Sequence, residues 1–207
     1  MRQQLQTMLE LQDAINKRMH PKWRTQHFEW CRAIWVECAE LMEHFGWKWW
    51  KKQSQDIEQV KLELVDIWHF GLSLLLENGT ELAVIEERLK RGLKAPVTMD
   101  FRNTVESLAG HVLVNQSFDI ECFGRLMRTA ELSFDTLYTD YIGKNVLNFF
   151  RQDKGYKEGT YQKVWNGRED NEHLVDIIQT LNTSADDFKD QLYRALEDRY
   201  QTCLIAS

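Results

Sequence analysis

Four carboxylates hold the chemistry that this sequence could do. Glu37 and Glu40 lie three residues apart, and so do Glu63 and Asp66. At about 100° per residue, each pair shares one face of a helix. The second pair sits in VKLELVDIWHFGLSLLL, residues 60–76, where most other positions are apolar. A helix apolar almost all round is buried, and acids on such a helix need partners or a metal. An E-x-x-E pair taken alone is more often a solvated helix face. Two acid pairs on neighbouring helices, joined by a short aromatic and basic connection, read as one site. Four converging carboxylates repel one another. A hard divalent cation relieves that repulsion, and Mg²⁺ is the usual one at carboxylate and phosphate sites.

Further polar residues line up with the acids. In residues 60–76, Glu63, Asp66, His69, Phe70 and Ser73 fall on one stripe roughly 120° wide, the wall of an internal site. Gln12 and Asn16 are four apart on the first predicted helix. They read either as two amides aimed at a polar edge such as a nucleobase, or as two solvated residues, and the residues alone favour the second. After the first acid pair comes WKWWKK, residues 47–52, which can stack a base and hold phosphate charge or form a packed aromatic loop with snorkelling lysines. Residues 141–174 concentrate positive charge and glycine. Lys144, Asn148 and Arg151 share a helix face there, and DKGYKEGTY follows as a loop whose backbone N–H groups can approach an anion. This segment suits a polyphosphate; the plainer reading is a solvated basic helix and a flexible loop.

The elements that must position these residues are helices. With only Pro21 and Pro96 and ten glycines, long helices are permitted through most of the chain. The patterns predict helices over 3–19, stopped near Pro21; 29–45, stopped by Gly46; 60–76, ended by Glu77-Asn78-Gly79; and 81–93, closed by Gly92 and Pro96. The second helix carries Glu37, Glu40 and Glu43 in one row, with Ala33, Val36 and Ala39 beside it. Residues 101–113 and 118–140 give two more helices, read as core and a possible subunit interface. A terminal helix is expected within 183–200, capped by Thr183 or Ser184. The fold expected is all-α: a helical bundle with a four-helix metal-site core and additional helices, one domain over 1–207.

Composition narrows the function classes. The hydrophobic fraction of 43% and charged fraction of 28% are those of an ordinary soluble globular chain. A net charge of -6 argues against bulk nucleic-acid binding. No apolar h-region opens the chain, and the apolar run at 72–76 is too short to span a bilayer. Cys31, Cys38, Cys122 and Cys203 show no metal spacing and read as reduced core thiols of a cytoplasmic protein.

These motifs resemble the dimeric, all-α dUTP diphosphatases, within the wider all-α NTP pyrophosphatase superfamily. The superfamily pattern is E-x-x-E, a spacer, then E-x-x-D, with 22 residues here between Glu40 and Glu63. The narrower family adds LQ-x-x-x-N, here Leu11-Gln12 to Asn16; the Trp/Lys segment; VDIWHF, here Val65 to Phe70; and a K-x-x-LN-x-FRQ-x-x-GYK-x-G-x-Y block, here Lys144 to Tyr161. Residues 80–135 carry no motif. The resemblance implies that Glu37, Glu40, Glu63 and Asp66 hold more than one Mg²⁺ ion, and that one of the first pair, Glu37 foremost, activates the attacking water. It implies that Gln12, Asn16 and Asn148 read the uracil edge, that Trp49, His69 and Phe70 line the base and deoxyribose pocket, and that Lys144, Arg151, Tyr156 and Lys157 clamp the distal phosphates. The activity implied is Mg²⁺-dependent hydrolysis of dUTP, and of dUDP, to dUMP, which keeps uracil out of DNA, in a homodimer with a mobile segment over 151–173. The alternatives are a related pyrophosphohydrolase preferring dCTP or other dNTPs and, more remotely, a non-catalytic helical adaptor.

Overall fold

The computed structural model describes residues 1–183, 185 and 187–205, the last two by their backbone. Two compact units follow one another along the chain, residues 1–138 and 139–207. The architecture is an all-α helical bundle with one two-stranded hairpin.

The first unit is built around its longest helix. It contains α1 (Arg2–Met19), a 3-10 turn (Trp23–Thr25), α2 (Trp30–Phe45), α3 (Ile57–Glu77), α4 (Leu82–Lys94), α5 (Phe101–Asn115), α6 (Ile120–Thr129) and the start of α7 (Phe134–Asp153). The α3 helix is buried on most of its surface, with Val60, Leu64, Val65, Ile67, Trp68 and Leu72 fully enclosed. Both α1 and α2 pack directly on it. On its far side Trp68 stacks on Phe123 at 4.9 Å, and Gly71 leaves room for the Phe118 ring, which would lie 2.7 Å from a Cβ there. The entry of α3 is fixed by Asp56, whose carboxylate accepts from Gln59 N, and its exit by Gly79 in the left-handed region. Gly46, at φ 86°, ends α2 in the same way.

Two expectations need correction here. The pattern over 118–140 is two helices, because Glu131 takes φ 53° and Ser133 Oγ then accepts from Thr136 N to start α7. Its apolar residues Phe123, Leu126, Met127, Leu132 and Leu137 are buried inside the unit as core, as expected. Gly92 does not close α4; the helix runs on to Lys94, and Gly92 is where α4 crosses α6 at backbone distance.

The second unit holds the rest of α7, the hairpin β1 (Val164–Trp165) and β2 (Arg168–Glu169), α8 (Asp170–Ile178) and α9 (Phe188–Ile205). Asn166 and Gly167, both at positive φ, make the two-residue turn that matches the twist of the strands. Phe150, Trp165, Tyr161 and Tyr200 form an aromatic cluster with ring centroids 5.0–6.4 Å apart. The terminal helix starts at Phe188, beyond Thr183, while Ser184 lies outside the described residues.

The helix crossing gives a test whose sign separates two effects. Helix propensity alone makes Gly92→Ala stabilising by about 1 kcal/mol. A Cβ at Gly92 would stand 2.4 Å from the Glu121 carbonyl oxygen, and such overpacking costs roughly 3 kcal/mol. Gly92→Ala is therefore expected to lower the urea midpoint; a raised midpoint would show that α4 and α6 can part freely.

Candidate metal and substrate site

Packing of α2 on α3 brings three of the four predicted carboxylates together. Glu37, Glu63 and Asp66 each offer an oxygen, and the three atoms lie within 4.8 Å of one another. Glu63 is buried, while Glu37 and Asp66 are half-buried. Burial pushes the Glu37 carboxyl up, and Asp66, Glu63 and Glu40 add to it through their charges, taking it to about 9. Glu40 itself is exposed on the rim, outside the three-residue cluster. Glu43, the next acid in the row, is turned toward the loop after α2, where it accepts from Trp47 Nε1 and Lys48 Nζ at 2.6 Å each. His44, which the sequence reading passed over, places Nε2 3.5 Å from Glu63 Oε1. It lies at i+7 from Glu37, on the same face, and that spacing was the available signal.

An all-oxygen donor set of crowded carboxylates fits a hard divalent cation. Binding would offset both the burial and the neighbouring charges that raise Glu37.

Farther along the same stripe of α3 lies a second polar group. Gln12 and Asn16 are buried against it, which overturns their reading as solvated residues. Gln12 Nε2 donates to Ser73 Oγ at 2.9 Å and to Asn16 Oδ1 at 3.1 Å. Asn16 Nδ2 donates to Ser73 Oγ at 3.0 Å, and Gln12 Oε1 lies 2.8 Å from His69 Nδ1. These hydrogen bonds among four buried polar side chains hold their orientations. Phe70 is half-buried next to Trp30, with centroids 6.3 Å apart. Trp49 is different. It stands 90% exposed on the loop between α2 and α3, stacked edge-on to Trp50 and away from His69 and Ser73 in burial.

The remaining predicted residues belong to the second unit. Arg151 forms a two-pronged pair with the fully buried Asp170, Nε to Oδ2 at 2.8 Å and Nη2 to Oδ1 at 2.7 Å, and donates to Asn148 Oδ1 at 3.2 Å. Tyr161 donates its hydroxyl to the same carboxylate at 2.8 Å, and the buried Lys144 donates to Asn171 at 3.0 Å. Burial alone would raise Asp170, but Arg151 outweighs it and holds the carboxyl below its ordinary value. Lys144, Asn148 and Arg151 thus share one helix face as the spacing predicts, and they join a buried network rather than a solvated basic surface. Tyr156 and Lys157 follow on exposed turns, with Gly155 and Gly159 at positive φ. Sequence reasoning missed Asp170, Asn171 and Tyr161, because their partners lie 9–27 residues away.

The charge crowding at Glu37 has a measurable sign. An acid whose folded-state value is raised binds its proton more tightly when folded. Its contribution to stability is complete below the ordinary value of 4.5 and is lost as pH climbs toward about 9. With divalent cations chelated, Glu37→Gln is expected to melt higher than the parent by several degrees, with the gap widening from pH 5 to pH 9. Added divalent cation is expected to stabilise the parent and to stabilise the variant less. Equal melting curves at all pH values would remove the crowding.

A family model described as dUTPase matches residues 4–156 of the chain. The match takes in both acid pairs, Gln12, Asn16, the Trp/Lys loop and α3, and ends at Tyr156. No curated protein matches the chain.

Proposed function

Since the chain belongs to the all-α dUTPase family, we propose that it is a Mg²⁺-dependent dUTP diphosphatase, converting dUTP and water to dUMP and pyrophosphate, and dUDP to dUMP and phosphate. The observation that supports this most is the cluster of Glu37, Glu63 and Asp66 within 4.8 Å on neighbouring helices. Removal of dUTP keeps uracil out of DNA.

In this reading Glu37, Glu63 and Asp66, with Glu40 at the rim, hold more than one Mg²⁺. Mg²⁺ held there would supply neutralisation of the phosphate charge and Lewis-acid chemistry. Glu37, its charge then compensated, accepts a proton from the attacking water, with Glu40 beside it. Gln12 and Asn16 offer amide groups to the uracil edge, with His69 orienting Gln12. Phe70 is assigned to the deoxyribose, where its ring would offer a 2′-hydroxyl no polar partner. Trp49 is assigned a stacking role from its exposed place in the loop. Asn148 is assigned to the base, and Lys144, Arg151, Tyr156 and Lys157 to the distal phosphates, on their motif. For Lys144 and Arg151 the buried pairing with Asn171 and Asp170 supports a role in shaping that segment.

The chain is proposed to act as one domain and as a homodimer in the cytoplasm, with neither nucleic acid nor membrane as partner. No helix among the described residues is long and apolar enough to cross a membrane. A mobile segment is proposed within 151–173, and the exposed turns at 156–160 support it there, ahead of the anchored Tyr161, Trp165 and Asp170.

Pyrophosphate release from dUTP is expected with Mg²⁺, is expected to vanish in excess EDTA, and is expected to fall by about 10²-fold or more in Glu63→Gln. Release from dCTP, dTTP or UTP with none from dUTP would keep the mechanism and overturn the base. No release from any nucleotide would sink the enzyme reading. Trypsin cutting after Lys154 and Lys157 is expected to slow when a non-hydrolysable dUTP analogue is bound; equal rates would dismiss a closing segment.

A further inference from the structure

Ser73 stands outside the acid cluster, seven residues beyond Asp66, which is about 10.5 Å of helix rise. Its side chain is completely buried. Its hydroxyl donates to the His69 carbonyl at 3.1 Å and accepts from Gln12 Nε2 at 2.9 Å and Asn16 Nδ2 at 3.0 Å. A serine hydroxyl has one hydrogen and two lone pairs, so the group is used to capacity. With its hydrogen turned back to its own helix, Ser73 can only accept from α1. Both amides must therefore turn their NH2 ends toward it and their oxygens elsewhere. The Gln12 oxygen meets His69 Nδ1, and the Asn16 oxygen accepts from Gln12.

A primary amide keeps its shape on a half-turn but exchanges donor for acceptor. Uracil and cytosine differ in the same sense. Uracil presents an N3–H donor beside an acceptor at position 4, and cytosine an N3 acceptor beside an amino donor. Amides free to turn suit either base, whereas amides held one way round suit one.

We propose that Ser73 is a positioning residue that sets base selectivity by fixing the polarity of the Gln12 and Asn16 amides. The proposal rests on the reading that these amides face the base. It assigns discrimination to a hydroxyl that touches no substrate.

The test uses the full chain carrying Ser73→Ala. One arm measures kcat/KM for dUTP and for dCTP with Mg²⁺. The other follows the side-chain amide signals of Gln12 and Asn16 in ¹H–¹⁵N spectra, assigned by substitution at each position. The dUTP-to-dCTP ratio is expected to fall about tenfold, through a higher KM for dUTP, as two buried donors lose their acceptor. The two amide signals are expected to lose their protection from solvent exchange. A ratio within about twofold of the parent, given the tenfold effect of losing such a bond, or unchanged amide signals, would overturn the assignment. If the parent turns over no nucleotide, the dUTP reading fails, and the amide spectrum still decides the role of Ser73. Ser73→Cys, close in shape with a much weaker acceptor, gives both readouts should Ser73→Ala not fold.

Discussion

Like charge held close against its own repulsion is the constraint on which the first unit turns. Glu37, Glu63 and Asp66 are brought within 4.8 Å of one another by the contact of α2 with α3. Left to electrostatics they would separate. What prevents this is the apolar burial around them: Ile34, Cys38 and Leu41 on α2, and Leu62, Leu64 and Ile67 on α3, all enclosed. At about 25 cal/mol per Å² of apolar surface, burial of such a set outweighs the repulsion of a few partly solvated charges. The cluster is thus a crowding of acids sustained by the core, and its donor set fits a divalent cation.

The two polar groups on α3 are stabilised by opposite means. The acids are crowded where ionising Glu37 is costly, and their oxygen donor set fits a divalent cation. Gln12, Asn16, His69 and Ser73 are tied to one another by hydrogen bonds, which favours rigidity over reactivity. The second unit follows the latter pattern with charged members, where Arg151 and Asp170 satisfy each other in an aromatic surround. The division suits a site in which one part must bind ions and another must hold a shape.

How much of this could be read from the chain alone depended on sequence distance. The helix limits near Gly46 and Asn78-Gly79 were legible because a left-handed glycine acts within a turn, whereas the start at Ile57 behind Asp56 lies three residues before the apolar pattern begins. The acid pairs were legible because spacing by three on a helix is itself geometry. The break at Glu131 was not, since a non-glycine residue in the left-handed region leaves no compositional mark. Nor was the burial of Gln12 and Asn16, because an amide is polar by type, and only its partners 57–61 residues away make it a core residue. Glu40 shows the same limit. Periodicity placed it beside Glu37, but one residue faces α3 and the other faces water. The small hairpin was hidden for another reason: two strands of two residues are too short to show alternation.

The stripe on α3 also works as a ruler. Its marks, from Glu63 and Asp66 to His69 and Ser73, are set by helical rise, and that spacing belongs to the backbone. With Trp68 stacked on Phe123 and Gly71 pressed beneath Phe118, the helix is also locked against rotation. Side-chain substitution can blunt a mark but cannot move it. Only an added or deleted residue changes the length, and it would turn every later mark by about 100° at the same stroke. The distance between the ion-seeking end and the shape-holding end is therefore a quantity that point mutation cannot tune gradually, and a lineage carrying this helix inherits it whole.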